Sequence, residues 1–262
     1  MQPVLKIVLV GSLLLNLVAI WGFYHYVRYG GSPLGELKRI LTRSTHQPAP
    51  AIPFLEENER IKTQLAAGSA PPNRVVFFGA SITARWKLDS AFPGVAAINR
   101  GVGNQLVPAM LARFKRDVLE LQPDAVAIKF CSINVRPFMP LSVMQDGMAM
   151  MVELARAHDI QPIVCTIIPA GRPEAAIGDF SVADTLQKFN AWARTWAAAE
   201  NLPLIDYARA LSDAEGHLPR EYSVDPVHVN DKGYEIMAAA AQPVIDSVLR
   251  TRPGSGPART VR

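Results

Sequence analysis

A serine hydroxyl attacks an ester only when a base within hydrogen-bond reach takes its proton and a third group orients that base. The stretch VVFFGASITARW, Val75 to Trp86, offers such a serine: an apolar run stops at Gly79, and Ser81 opens a helix-like segment. Five histidines compete for the role of base. His25 ends an apolar N-terminal run, His46 lies in a Pro-rich stretch, His158 ends a helical pattern and His217 falls in a polar loop. Only His228 stands in a compact loop, SVDPVHVND, with an acid, Asp225, three positions earlier. Asp225 can accept from Nδ1 of that ring and leave Nε2 for Ser81. Taken alone, Ser81 reads as a helix N-cap, a position serine favours. Read together with Asp225, His228 and Asn134 it becomes a candidate nucleophile.

The charge that develops on the attacked carbonyl needs donors. Three sources are readable: the backbone N–H of Ser81 at a helix start, the N–H of Gly103 or Asn104 in the turn GVGN, and the side-chain amide of Asn134 in SIN. Each such donor is typically worth about 3–4 kcal/mol to the transition state.

These residues need elements that bring them to one place. Five short apolar runs, RVVFFG, VAAINRG, DAVAIKF, QPIVCTIIP and LPLIDY, alternate with amphipathic helical segments. That alternation argues for a parallel sheet covered by helices on both faces. Ligands of such sheets bind beyond the carboxyl ends of the strands. Ser81, then Asn99 to Asn104, then Ser132 and Asn134 follow the first three runs, and Asp225 and His228 precede the last helix. The stripe Met144, Met148 and Met151 and the pair Trp192 and Trp196 read as core packing. Asn230 reads as the cap of the closing helix, in which Pro243 is expected to cause a kink.

The ordered set Gly-x-Ser, NRGVGN, SIN and DPVHVNDKGY resembles the SGNH, or GDSL, hydrolase superfamily over roughly residues 74–250. The resemblance implies a three-layer α/β/α sandwich of flavodoxin-like order and ester hydrolysis without a metal or cofactor. It implies Ser81 as nucleophile, His228 as base, Asp225 as its orienter, and Ser81, Gly103 or Asn104, and Asn134 as the oxyanion hole. Substrates of such enzymes are acyl or O-acetyl esters of carbohydrates or lipids. Three positions depart from the family pattern: Ala80 replaces an aspartate, Asn104 stands where a second glycine is frequent, and Val135 stands where Asp or Asn is frequent. An acyltransferase using the same acyl-enzyme, and a non-catalytic binding protein on a decayed hydrolase fold, are the alternative readings. The latter predicts Ser81 Oγ far from His228 Nε2.

The remaining chain adds context. Ile7 to Tyr24 is apolar enough to span a bilayer, with Trp21, Tyr24 and Tyr26 at its far end, and is read as an uncleaved anchor. The charges Arg28, Lys38, Arg39 and Arg43 after the span favour a cytoplasmic domain, whereas a short N-terminal tail before a signal-anchor favours export; an extracytoplasmic domain is expected. The expected organisation is an anchor over 1–30, a helical and Pro-rich spacer over 31–72, a catalytic domain over 73–250 and a basic disordered tail over 251–262. Net charge is only +4, and no basic stripe interleaved with aromatics points to nucleic acid. Two cysteines, Cys131 and Cys165, outside any metal-type cluster, read as buried free thiols.

Overall fold

A computed structural model describes residues 16, 19, 20, 52–172, 176, 177 and 180–251. The expected anchor, most of the spacer and the tail lie outside the described residues, among which no helix is long and apolar enough to cross a membrane.

The five apolar runs form one parallel sheet: β1 (Arg74–Gly79), β2 (Ala96–Gly101), β3 (Ala125–Lys129), β4 (Gln161–Cys165) and β7 (Leu204–Ile205), in the order β2-β1-β3-β4-β7. Strand alternation sends Val76, Phe78, Val126, Ile128 and Val164 to one face and Val75, Phe77, Ala125, Ala127 and Ile163 to the other. The first face is covered by α1 (Leu55–Ala66), α4 (Val107–Asp117), α5 (Leu141–Ala157) and α6 (Val182–Ala199). The second is covered by the short α2 (Ser81–Ala84), α3 (Leu88–Ala91) and α7 (Tyr207–Leu211) and by the long α8 (Asp231–Thr251). Apolar residues on both faces of every central strand are what a sheet between two helical layers requires. Strand order reverses between β1 and β3, and such a switch point opens a crevice at the carboxyl ends.

Met144, Met148 and Met151 are buried in the core, and Trp192 stacks on Trp196 with ring centroids 5.0 Å apart. Pro243 sits inside a helix that runs on to Thr251. The compact unit begins at Pro53, so α1, expected in the spacer, belongs with the sheet. The reason is chemical: Asn58 and Ile61 of α1 are buried, and Asn58 bonds Arg100 and Asp117. Two antiparallel ribbons were not anticipated, β5 (Ala176–Ile177) with β6 (Phe180–Ser181) and β8 (Ser223–Asp225) with β9 (His228–Val229).

Candidate active site

The turn between β1 and α2 is pressed hard against its neighbours. A Cβ on Gly79 would strike Thr83 Oγ1 and come within 2.9 Å of the Lys129 carbonyl, and one on Gly101 would strike the backbone of Ala84. Two glycines therefore let α2 settle on the ends of β1 and β2 and turn Ser81 upward. Asn99 clamps the far end of α2, donating from Nδ2 to the carbonyls of Thr83 (2.8 Å) and Trp86 (3.2 Å) while Oδ1 accepts from Gly101 N–H. Tyr234 Oη donates to the Ile82 carbonyl at 2.8 Å, tying α2 to the first turn of α8.

The β8–β9 ribbon carries the acid and the base. Asp225 Oδ1 accepts from the N–H groups of Val227 and His228, both at 2.8 Å, which folds the DPVH loop around the carboxylate. Gly171 N–H donates to the Pro226 carbonyl at 2.8 Å and buttresses the loop from the segment after β4. Asn230 Oδ1 accepts from Gly233 N–H at 3.0 Å and Nδ2 donates to the Glu221 carbonyl, so the expected cap of the last helix is in place.

Ser81 meets the Asp225–His228 pair here from far along the chain. His228 Nδ1 lies 2.8 Å from Asp225 Oδ2, and Nε2 lies 3.0 Å from Ser81 Oγ. An ionised carboxylate only accepts, so Nδ1 carries the proton and Nε2 is free to accept from Ser81. Burial alone would raise the Asp225 carboxyl, but the Val227 N–H, the His228 ring and the His228 N–H outweigh it and hold the group below the ordinary carboxylate range. The His228 side chain is 19% exposed and that of Asp225 43%, so the base is sheltered while its orienter touches solvent.

Ser81 is the first residue of α2, and its N–H has no acceptor within the helix. Gly103 and Asn104 are exposed on the turn after β2, and a Cβ on Gly103 would meet nothing within 4 Å. Asn104 adopts φ 60°, the left-handed region where glycine is at ease and asparagine is among the residues that tolerate it. Asn134 lies in the turn after β3 and is fully buried. Its Oδ1 accepts from Val107 N–H at 2.7 Å and its Nδ2 donates to the Cys131 carbonyl at 3.2 Å. Sequence reasoning missed the first of these duties. The N-cap of α4 is Leu106, whose apolar side chain caps nothing, so the first N–H of that helix needed a distant acceptor. One N–H of Asn134 Nδ2 remains beyond these two bonds.

Two of the three departures from the family pattern, Ala80 and Val135, lie in apolar packing. Ala80 is fully buried in the apolar cluster with Ile82, Trp86 and Cys131, a poor place for a carboxylate. Val135 is buried in the opposite cluster and turned into the core. Arg136 donates to the Ile133 carbonyl. Cys131 and Cys165 are buried free thiols. A hollow of about 520 Å³ between Gln161, Pro203 and Pro243 sits at the amino end of β4 and holds no titratable side chain. Among the described residues no group of His, Cys, Asp and Glu is arranged to hold a metal.

Known proteins share the fold. A GDSL-like lipase from Bacteroides thetaiotaomicron VPI-5482 is 29% identical over 72% of this chain and 97% of its own, with a TM-score of 0.63. A lipase/acylhydrolase from Enterococcus faecalis shares the fold at 23% identity over 70% of this chain and 100% of its own, with a TM-score of 0.56. An acetylxylan esterase from Geobacillus stearothermophilus shares it at 20% identity over 66% of this chain and 94% of its own, with a TM-score of 0.55. Curated proteins gave no match. The model of the GDSL-like lipase/acylhydrolase family matches residues 67–236, and the chain is an ester hydrolase that belongs to this family.

Proposed function

We propose that the protein is a membrane-anchored serine esterase that cleaves acyl or O-acetyl esters of a carbohydrate or lipid through an acyl-enzyme on Ser81. The observation that carries this reading is the 3.0 Å contact between Ser81 Oγ and His228 Nε2, with Asp225 behind the ring. In the first half-reaction His228 Nε2 takes the Ser81 proton as Oγ bonds to the ester carbonyl carbon. Asp225 holds the tautomer and stabilises the imidazolium. The oxyanion is received by the N–H of Ser81, the N–H of Gly103 or Asn104, and the remaining Nδ2 proton of Asn134. The imidazolium then protonates the leaving alcohol, and water repeats the sequence to release the acid and restore Ser81. A decayed, non-catalytic site is disfavoured by the same contact, since a drifting serine has no reason to stay in reach of the ring.

The apolar stretch Ile7–Tyr24 supports anchoring of the catalytic unit that begins at Pro53, and a short N-terminal tail before a signal-anchor supports a site on the extracytoplasmic side. The test uses full-length protein in detergent against p-nitrophenyl esters from acetate to octanoate, an acetylated oligosaccharide and a lysophospholipid. Turnover that vanishes in Ser81→Ala supports the reading, and the preferred ester names the substrate class. Absence of Ser81-dependent turnover across the panel, or recovery of the full chain in the soluble fraction after lysis, removes the corresponding part.

A further inference from the structure

We infer that Arg113 is a positioning residue for ester cleavage, fastening the nucleophile turn to the loop that carries the second oxyanion donor. The inference rests on the reading of Ser81 as nucleophile and deepens it. Arg113 projects from α4 and is 6% exposed. Its N–H groups diverge: Nη2 donates to the Gly79 carbonyl at 2.9 Å, Nε to Gln105 Oε1 at 2.5 Å, and Nη1 to Asp117 Oδ2 at 3.0 Å. The guanidinium lies over the Phe78 ring, 4.1 Å from its centroid.

The partners decide what this does. Gly79 is two residues before Ser81, and Gln105 follows Asn104. The Gly79 carbonyl also accepts from Val102 N–H at 3.1 Å, one residue before Gly103. Both backbone arms of the oxyanion hole thus converge on one carbonyl and one guanidinium. The far side of the guanidinium is fixed as well: Asp117 is fully buried and held by Arg116 and by Asn58 of α1, and Asn58 accepts from the fully buried Arg100. Ala80 has no polar side chain with which the turn could hold itself, so the grip comes from α4 instead. A planar fork can make three diverging bonds at fixed angles, which an ammonium on a flexible stem cannot.

Oxyanion donors act only at about 2.7–3.1 Å from the developing charge, and a misplacement of about 1 Å costs on the order of 100-fold. Arg113→Lys keeps a cation beside Asp117 and loses the fork. Arg113→Met leaves Asp117 with Arg116 and Asn58. Both variants are compared with wild type and Ser81→Ala for kcat and KM on a short acyl ester, affinity for a boronic acid that mimics the tetrahedral state, and the rate of Ser81 labelling by a fluorophosphonate. The expected result is a roughly 10- to 100-fold loss in kcat, boronate affinity and labelling rate, with KM changed by less than about threefold. A merely structural role would lower the melting temperature and leave boronate affinity and labelling unchanged well below it. Folded Arg113→Lys within about twofold of wild type in boronate affinity and labelling rate overturns the inference. If both Arg113 variants misfold, Gln105→Ala cuts only the link to the loop; a several-fold slower labelling supports the inference and an unchanged rate overturns it. Ser81→Ala that still hydrolyses the ester defeats the underlying reading, whereas a normal Arg113 variant beside a dead Ser81→Ala defeats this inference alone.

Discussion

Replacing Asp225 by asparagine isolates the tautomer from the rest of the loop. Asp225 Oδ1 accepts two backbone N–H groups, from Val227 and His228, and an asparagine carbonyl oxygen can keep both. The other carboxylate oxygen, 2.8 Å from His228 Nδ1, becomes an NH₂ group. The NH₂ at the shorter distance favours the Nε2–H tautomer, which cannot accept from Ser81, while the retained Oδ1, 3.1 Å from Nδ1 and already accepting two N–H groups, keeps part of the ring in the other. Enzymes with a fully buried orienting carboxylate lose about 10⁴-fold in kcat on this change. Here the Asp225 side chain is 43% exposed, so water stabilises part of the imidazolium charge once the carboxylate is gone. A loss of about 10³-fold, or about 4 kcal/mol of barrier, is expected. KM should change little, because Asp225 touches His228 and its own loop rather than the ester. The assay is stopped-flow hydrolysis of a p-nitrophenyl ester, with thermal melting as the control. A variant that melts within about 2 °C of wild type yet keeps more than a tenth of kcat would refute the tautomer argument.

Further expectations follow from other parts of the molecule. Tyr234→Phe removes the donor to the Ile82 carbonyl and should cost about 1 kcal/mol in urea unfolding, with slower acylation because α2 loses its tie to α8. Burial pushes the Cys165 thiol up to about 12, so it should resist iodoacetamide at pH 8 in the folded protein and react once urea unfolds it. Burial would raise the Asp117 and Asp206 carboxyls, but Arg116, Arg113 and Asn58 around the first and Arg194, the Arg209 N–H and Thr166 around the second win and hold both below 3.8. A carboxyl lowered in the folded state contributes stability above its unfolded value that is lost as pH falls through the folded one. Melting temperature should therefore be level between about pH 5 and 7 and drop below about pH 4; a drop already complete at pH 5 would contradict this.

The sheet was legible because its central strands are apolar on both faces and end in Gly or polar residues. β7 shrinks from the expected LPLIDY to Leu204–Ile205 because it pairs with β4 along only two positions. Ser81 and Asn134 were readable because each follows an apolar strand, and Asp225 and His228 because an acid stands three positions before a histidine in a short loop ahead of the last helix. The β8–β9 ribbon that sets the distance between Asp225 and His228 was not, since strands of two or three residues leave no alternation to read. The polar lattice of Asn58, Arg100, Arg113 and Asp117 was also hidden. In sequence, charged residues along α4 look like a solvated helix face, and only the tertiary fold shows Arg113 turned inward onto Gly79. Ala80 and Val135, which depart from the family pattern, are buried in the two apolar layers.

The most direct measurement is mass spectrometry of the full-length protein after treatment with a fluorophosphonate, alongside hydrolysis of p-nitrophenyl acetate. A single adduct on Ser81 that appears in step with loss of activity, and is absent together with activity in Ser81→Ala, is the predicted result. Hydrolysis that survives in Ser81→Ala, or an inactivating adduct on another residue, would contradict the assignment of Ser81 as nucleophile.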